Sequence, residues 1–219
     1  YLPSCAGPLF YSEVEHLSRA FAPSHPFLFI LGGKKITTKA PLIEKFLEKA
    51  DDMVIAGALA APLLKGRGFE TIDASPEDAE IFRKKFKGME KILIPEDVVI
   101  DRAGSRLVLS AADVRAGDRI YDLGPKTTEE IVRIANKAAF VLWNGPVGYC
   151  ERGFSDGTRS IAEALANSDA EVIVGGGDTV RFLNQWKLTE RFSFVSTGGG
   201  AMLDFLVEGT LPGIEALMR

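Results

Sequence analysis

Two glycine triplets, each led in by strand-forming residues and followed by a helical pattern, constrain this 219-residue chain more than any other feature. The first lies in residues 171–179 (EVIVGGGDT) and the second in residues 192–203 (FSFVSTGGGAML). A strand that ends in glycines and turns at once into a helix lets a ligand approach the backbone closely. The helix then offers it unpaired N–H groups and the positive end of its dipole. Turns of this kind hold phosphate. Asp178 and Thr179 follow the first triplet and add a carboxylate suited to Mg²⁺ and a hydroxyl suited to a phosphate oxygen. A nucleotide is the ligand that joins these requirements.

Strand-like runs recur at residues 27–31 (FLFIL), 53–55 (MVI), 91–94 (KILI), 140–143 (FVLW), 171–174 (EVIV) and 192–195 (FSFV). Being apolar almost throughout, they suit a parallel sheet covered on both faces. Helical patterns fall at residues 41–49, 128–137, 158–166, 179–186 and 201–207, with a further helix at 12–21 ahead of the first strand. This alternation predicts an α/β, doubly wound, Rossmann-like fold. Its sheet is six-stranded and mainly parallel, with helices on both faces and the ligand outside the carboxyl ends of the strands. Residues 98–110 (VVIDRAGSRLVLS) break the rhythm and read as a small inserted hairpin turning at Gly104. Residues 1–26 are expected to form a connector and helix, and residues 27–219 the nucleotide-binding domain.

Size and composition allow a full core, with 46% hydrophobic residues, and a formal net charge of −4 argues against a general nucleic-acid binder. Cys5 and Cys150 are far apart and lack metal-ligand spacing, which predicts free thiols in a reducing compartment. No apolar run approaches the ~20 residues a membrane span needs. The expectation is a soluble, cytoplasmic, monomeric protein without a membrane partner. The chain starts at Tyr1, and sequence upstream of it is expected.

Two further segments carry chemistry. Gly32-Gly33-Lys34-Lys35-Ile36-Thr37-Thr38-Lys39 follows the first strand as a glycine turn with three lysines, which suit phosphate as point cations but do not make a Walker A loop. Trp143-Asn144-Gly145-Pro146-Val147-Gly148 follows another strand and runs into Tyr149-Cys150-Glu151. A dinucleotide oxidoreductase is disfavoured, because no GxGxxG follows the first strand and no acidic residue ends the second.

Taken together and in order, PSCAGPLFYSEVEHL, LGGKKITTK, DLGPKT, LWNGPVGYCE, FSDGTRSIAEAL, VGGGDTV and STGGGAMLDFLVEGTLPGIEAL resemble the carboxyl-terminal, nucleotide-binding half of the phosphoglycerate kinase family. The resemblance implies an enzyme that moves a phosphoryl group reversibly between 1,3-bisphosphoglycerate and ADP in glycolysis, with Mg-ADP or Mg-ATP as its nucleotide. It implies a catalytic role for Lys35, which would stabilise the phosphoryl group in flight, and for the turn Gly198-Gly199-Gly200, whose helix end would face it. Nucleotide contacts are implied for Gly33, Lys39, Gly57, Asn144, Glu151 (to the ribose), Gly175, Gly176, Gly177, Asp178 and Thr179. Asp178 is also the implied Mg²⁺ residue.

The match has departures. Lys34 and Thr38 stand where a small residue and an aspartate are common in the family, making the turn more cationic. Residues 56–60 read Ala-Gly-Ala-Leu-Ala where the family has GGGMA, so the methyl groups of Ala56 and Ala58 are expected to narrow the base pocket. In the family the amino-terminal half binds 3-phosphoglycerate, so this chain alone is expected to bind nucleotide without turnover. A stand-alone nucleotide-binding module is the alternative reading. Residues 3–17 and 211–217 resemble the segments that join the two halves and are expected to be poorly anchored here. No acid–base role is read into His16 or His25, and residues 83–87 (RKKFK) read as a solvated helix face rather than a nucleic-acid site.

Overall fold

The computed structural model describes residues 5–33, 36–69, 72, 74–86 and 89–218. In chain order the strands are β1 (Phe27–Leu31), β2 (Asp52–Ile55), β3 (Ile92–Leu93), β4 (Asp97–Arg102), β5 (Ser105–Ser110), β6 (Ile120–Leu123), β7 (Phe140–Asn144), β8 (Glu171–Gly175) and β9 (Phe194–Val195). The helices are α1 (Pro8–Ser18), α2 (Ile36–Leu47), α3 (Ala60–Gly66), α4 (Pro76–Lys85), α5 (Pro125–Ala135), α6 (Asp156–Ala166), α7 (Gly177–Gln185), α8 (Gly200–Glu208) and α9 (Pro212–Leu217).

The main sheet has six strands in the order β3-β2-β1-β7-β8-β9, and every pairing in it is parallel. All five residues of β1 are buried, which explains its unbroken apolar run. Phe27, Phe29 and Leu31 enter one core with Phe46 of α2, Phe82 of α4 and Phe205 of α8. Leu28 and Ile30 enter the other, with Ile131 of α5, Ile161 of α6 and Leu183 of α7. Helices thus cover both faces, as the alternation predicts. From β1 the chain winds outward through β2 to β3, then crosses to β7 and winds the other way. The reversal between β1 and β7 is where an open α/β sheet leaves a crevice at its carboxyl edge.

The inserted hairpin is larger than the sequence suggests. β6 pairs antiparallel with β4, completing a three-stranded sheet in the order β5-β4-β6. Its inner face, with Val98 and Ile100, packs on Leu64 of α3 in a third core. β6 is only four residues long and follows a charged turn that the fork of Arg102 on Asp118 closes at 3.1 and 2.6 Å, so its strand character is weak in the sequence. Asp97 of β4 accepts the Lys126 and Thr127 N–H groups at the start of α5, at 3.1 and 2.8 Å, and so fixes the small sheet to the large one.

Two more expectations need correction. α2 starts at Ile36, not Pro41, and carries Pro41 within it. Burial of Ile36 and Lys39 on one side of its first turn outweighs the preference of proline for a helix start. The segments expected to be loose are anchored. Glu13 of α1 accepts the Thr197 N–H at 2.6 Å and the Ser196 hydroxyl at 2.7 Å, and His16 stacks on Phe194 with ring centroids 4.2 Å apart. Leu211 and Ile214 pack against the first core.

Candidate active site

The glycine turns that follow β1, β7, β8 and β9 lie at the carboxyl edge of the main sheet, and the turns after β1 and β7 touch. Gly32 donates its N–H to the Asn144 carbonyl at 2.8 Å, continuing the β1–β7 pairing by one residue. A methyl group on Gly32 would lie 2.1 Å from the Pro146 carbonyl oxygen and 2.7 Å from Gly145, so a side chain is excluded there. The contact sets the floor of two adjoining cavities.

The first is a cleft of about 270 Å³ lined by Gly32, Gly33, Lys39, Asn144, Gly145, Pro146, Gly176, Gly177, Asp178, Gly199, Gly200 and Leu203. α7 and α8 both begin on it. The first intrahelical bond of α7 runs from Val180 N to Gly176 O, so the preceding N–H groups of its first turn are left to a ligand or water. Two helix N-termini on one small volume favour an anion strongly. Lys39 adds the cation. Its side chain is 9% exposed and donates to the Asn144 side-chain oxygen at 2.6 Å. That partner is neutral, and burial pulls the ammonium pKa down from 10.5 to about 8. A phosphate in the cleft would give this buried charge the counterion that it lacks among the described residues.

The second cavity, about 590 Å³, shares Gly33, Lys39, Pro146 and Asp178 with the first and extends to Gly57, Ala58, Ile120, Tyr121, Gly148, Tyr149 and Glu151. Its wall is aromatic. The rings of Tyr121 and Tyr149 lie 12° from parallel with centroids 6.0 Å apart, and Phe154 stacks on Tyr121 at 4.6 Å. Arg106 caps this stack, 4.3 Å above the Phe154 ring. A flat apolar slot opening from an anion cleft has the outline of a nucleotide: base, ribose, then phosphates.

The implied site residues divide as follows. Gly33, Lys39, Asn144, Gly176, Gly177, Asp178, Gly199 and Gly200 line the cleft, and Gly57 and Glu151 line the slot. Gly175, Gly198 and Thr179 stand behind these walls. Gly175 is packed against Met202, Gly198 donates to the Ser196 hydroxyl at 3.2 Å, and Thr179 is fully buried with its hydroxyl unpartnered among the described residues. The Thr179 side chain therefore does not line either cavity, because the helix turns it inward. Lys35, with Lys34, lies outside the described residues. Ala56 is fully buried in the second core, so only the methyl of Ala58 reaches the slot.

The residue types also bear on Mg²⁺. Asp178 is an exposed carboxylate at the junction of the two cavities, held 3.5 Å from Arg181, which also reaches Glu151 at 3.4 Å. No cluster of three or more His, Cys, Asp or Glu suited to a metal occurs among the described residues. One carboxylate beside a phosphate cleft fits Mg²⁺ carried in on phosphates and does not fit an all-protein metal cage.

Sequence reasoning missed Ile120, Tyr121 and Tyr149. The sequence gives Tyr149 no role of its own and carries no clear strand pattern at β6. The available signal was the pair of tyrosines flanking two motif segments, DLGPKT and LWNGPVG, which the fold brings together. Both cysteines are free, Cys5 exposed and Cys150 buried. His25 pairs with Asp51 at 2.6 Å, outside either cavity. The basic run of α4 pairs with Glu80 and Glu44 and buries Phe86; its Lys87 lies outside the described residues. No helix among the described residues is long and apolar enough to cross a membrane.

A six-stranded parallel sheet with helices on both faces, and a cleft and an aromatic slot at its switch point, defines a doubly wound α/β protein, and the comparisons with known proteins agree. The sequence profile of phosphoglycerate kinase matches residues 1–209, and the chain belongs to this family. It is 37% identical over 231 positions to the phosphoglycerate kinase of Coxiella burnetii and 40% identical over 231 to that of Herpetosiphon aurantiacus. Each match covers 99% of this chain and 58% of the relative. The structure of the Coxiella burnetii enzyme superposes with a TM-score of 0.88 over 98% of this chain and 58% of that one. The Pyrococcus horikoshii enzyme, 29% identical, superposes with a TM-score of 0.83 over 99% of this chain and 57% of its own. The chain thus spans somewhat more than half the length of the relatives it matches.

Proposed function

We propose that this chain binds a Mg²⁺-complexed adenine nucleotide and serves as the nucleotide-binding part of a phosphoglycerate kinase. In this reading the base and ribose occupy the slot, with Glu151 at the ribose, and the phosphates occupy the cleft beneath α7 and α8. The observation that carries the reading is the shared edge of the two cavities, where buried Lys39 and exposed Asp178 face the junction of an apolar slot and an anion cleft.

Phosphoryl transfer between 1,3-bisphosphoglycerate and ADP asks for in-line positioning and neutralised charge more than for covalent chemistry. Lys39 and the first-turn N–H groups of α7 hold the nucleotide phosphates still. The α8 N-terminus, at Gly199 and Gly200, stabilises charge where the group moves. Mg²⁺ at Asp178, when bound, neutralises phosphate oxygens. The resemblance assigns the moving group itself to Lys35. In this reading the phosphoglycerate substrate is held by the part of the longer relatives that these 219 residues do not match, and the 219 residues taken alone bind nucleotide without turnover. Domain limits at residue 26, a monomeric state, a cytoplasmic setting, a place in glycolysis and the lack of membrane or nucleic-acid partners belong to the same reading.

Calorimetric titration with ADP and GDP, each with and without Mg²⁺, beside a coupled assay of 3-phosphoglycerate phosphorylation, tests it. Mg-dependent ADP binding without turnover is the expected result. Absence of binding to either nucleotide would sink the reading, and turnover by this chain would sink its account of the phosphoglycerate site.

A further inference from the structure

Asp122 is a carboxylate buried directly behind the slot wall. It follows Tyr121 in β6, is 3% exposed, and has no cation in hydrogen-bond contact among the described residues. Its Oδ2 accepts the Gly157 N–H at 3.1 Å, in the first turn of α6, and its Oδ1 accepts the Leu123 N–H at 2.9 Å. Two glycines close on it from opposite ends of the segment 148–157. A methyl group on Gly148 would lie 2.4 Å from Oδ1, and one on Gly157 would lie 2.8 Å from it. One backbone bond stands beside this clasp, from Tyr149 N to Tyr121 O at 2.7 Å. The segment so held carries Tyr149 and Glu151 into the slot.

We infer that Asp122 is a positioning residue for the slot: without touching a ligand, its carboxylate clasps residues 148–157 onto β6 and sets the slot's width and the reach of Glu151. The inference rests on the nucleotide reading above. It adds a residue that no motif assigns and a consequence for pH. A carboxylate accepts N–H groups on both oxygens, and a carboxylic acid gives up part of that capacity to its own O–H. The clasp is therefore tightest when Asp122 is ionised. Burial pushes its pKa up from 3.8 to about 7, the N–H groups of Gly157 and Leu123 opposing the shift. The charged and titratable neighbours leave that balance in place. The charge of Asp156 raises the pKa while its backbone N–H lowers it, Glu151 and the buried Cys150 lie on the clasped segment, and Arg106 of β5 is engaged by the Gly153 carbonyl at 2.7 Å and by Asp156. From α5 the neighbour is Thr128, which is uncharged and donates to Gly124.

The test uses adenosine, which carries no phosphate to titrate near neutrality, alongside Mg-ADP. Wild type is expected to lose adenosine affinity several-fold between pH 8 and about pH 6, and Asp122→Asn to bind weakly and with a flat profile across that range. Amide protection of residues 148–157 should fall in Asp122→Asn while that of β1 and β7 holds. Asp122→Asn with wild-type affinity, or with the wild-type pH slope, would overturn the inference while leaving the nucleotide reading intact. A wild type that binds Mg-ADP but shows no pH dependence for adenosine would overturn it without any variant, so the test stands even if Asp122→Asn fails to fold. Failure of the wild type to bind Mg-ADP would sink the nucleotide reading and this inference together.

Discussion

The cleft and the slot share four residues, yet they are built by opposite means. The cleft is backbone: glycines at strand ends and first-turn N–H groups, with Lys39 as the buried charge. The slot is walled largely by side chains, and they come from separated stretches: Thr38 and Lys39, Ala58, Ile120 and Tyr121, Tyr149 and Glu151, and Asp178. Backbone walls leave no room for variation in shape. Side-chain walls set fit and preference, and they change with single substitutions. In the proposed reading, phosphate grip and base recognition are therefore physically separable, and substitutions in the two regions should fail in different ways.

The largest expected effect lies in the cleft floor. Gly32→Ala sets a methyl group 2.1 Å from a carbonyl oxygen that belongs to backbone and has nowhere to go. Forced overpacking of this kind costs about 3 kcal/mol or more. Thermal unfolding should show a large drop in Tm, and nucleotide binding should vanish. A variant that melts like wild type would mean that the β1 and β7 turns can part, and the contrast between a fixed cleft and an adjustable slot would collapse.

Lys39→Met should weaken Mg-ADP binding by about 10- to 100-fold, the worth of one charge-assisted bond to phosphate. Folding stability should hold, because the ammonium it removes is buried beside a neutral amide. The sign of the pH effect follows from the depressed pKa. Between about 8 and 10.5 the unfolded lysine holds its proton more firmly than the native one, so wild-type stability gains as pH rises through that window. Nucleotide affinity runs the other way, falling above about pH 8 as the free cleft loses its cation. Calorimetry and chemical unfolding at matched pH values check both slopes, and Lys39→Met should flatten them.

This contrast also explains what the sequence disclosed. The glycine turns at Gly33, Gly176 and Gly199 were legible because a strand, a glycine and a helix start are contiguous, and contiguity is what a linear text preserves. The six parallel strands were legible for the same reason, each being a short apolar run such as FLFIL. Tyr121 was not. Its partner Tyr149 lies 28 positions away, and nothing local distinguishes a tyrosine that walls a cavity from one on a surface. Asp122 hid as one letter of DLGPKT, its role depending on glycines at 148 and 157 that meet it only in the folded chain. Ala56 misled because its methyl reads like that of Ala58, and the twist of the chain after β2 sends one to the core and the other to the slot.

Tyr121→Ala tests the slot alone. Removing one stacking ring is worth about 1 kcal/mol, or roughly fivefold in affinity. ADP should lose that factor and inorganic pyrophosphate, which needs only the cleft, should lose none. Equal losses for both would show that the two cavities act as one and that the aromatic wall supports the cleft mechanically.

The smallest effect is expected where the two regions meet in charge. Arg181 bridges Glu151 of the slot and Asp178 of the cleft at 3.4 and 3.5 Å, and its guanidinium also lies 4.7 Å above the Phe182 ring. Its side chain is 48% exposed, and exposed pairs of this length contribute at most about 1 kcal/mol. Both carboxylates must leave Arg181 if one is to meet a ribose and the other Mg²⁺, so the bridge competes weakly with the ligand. Arg181→Ala should change Mg-ADP affinity by less than about threefold and lower the Mg²⁺ concentration needed for half-maximal binding, the more so at low ionic strength, where the bridge is least screened. Loss of binding in Arg181→Ala would instead make Arg181 a phosphate ligand. The cleft would then extend along the flank of α7, and its cation would be a mobile surface guanidinium as much as the buried ammonium of Lys39.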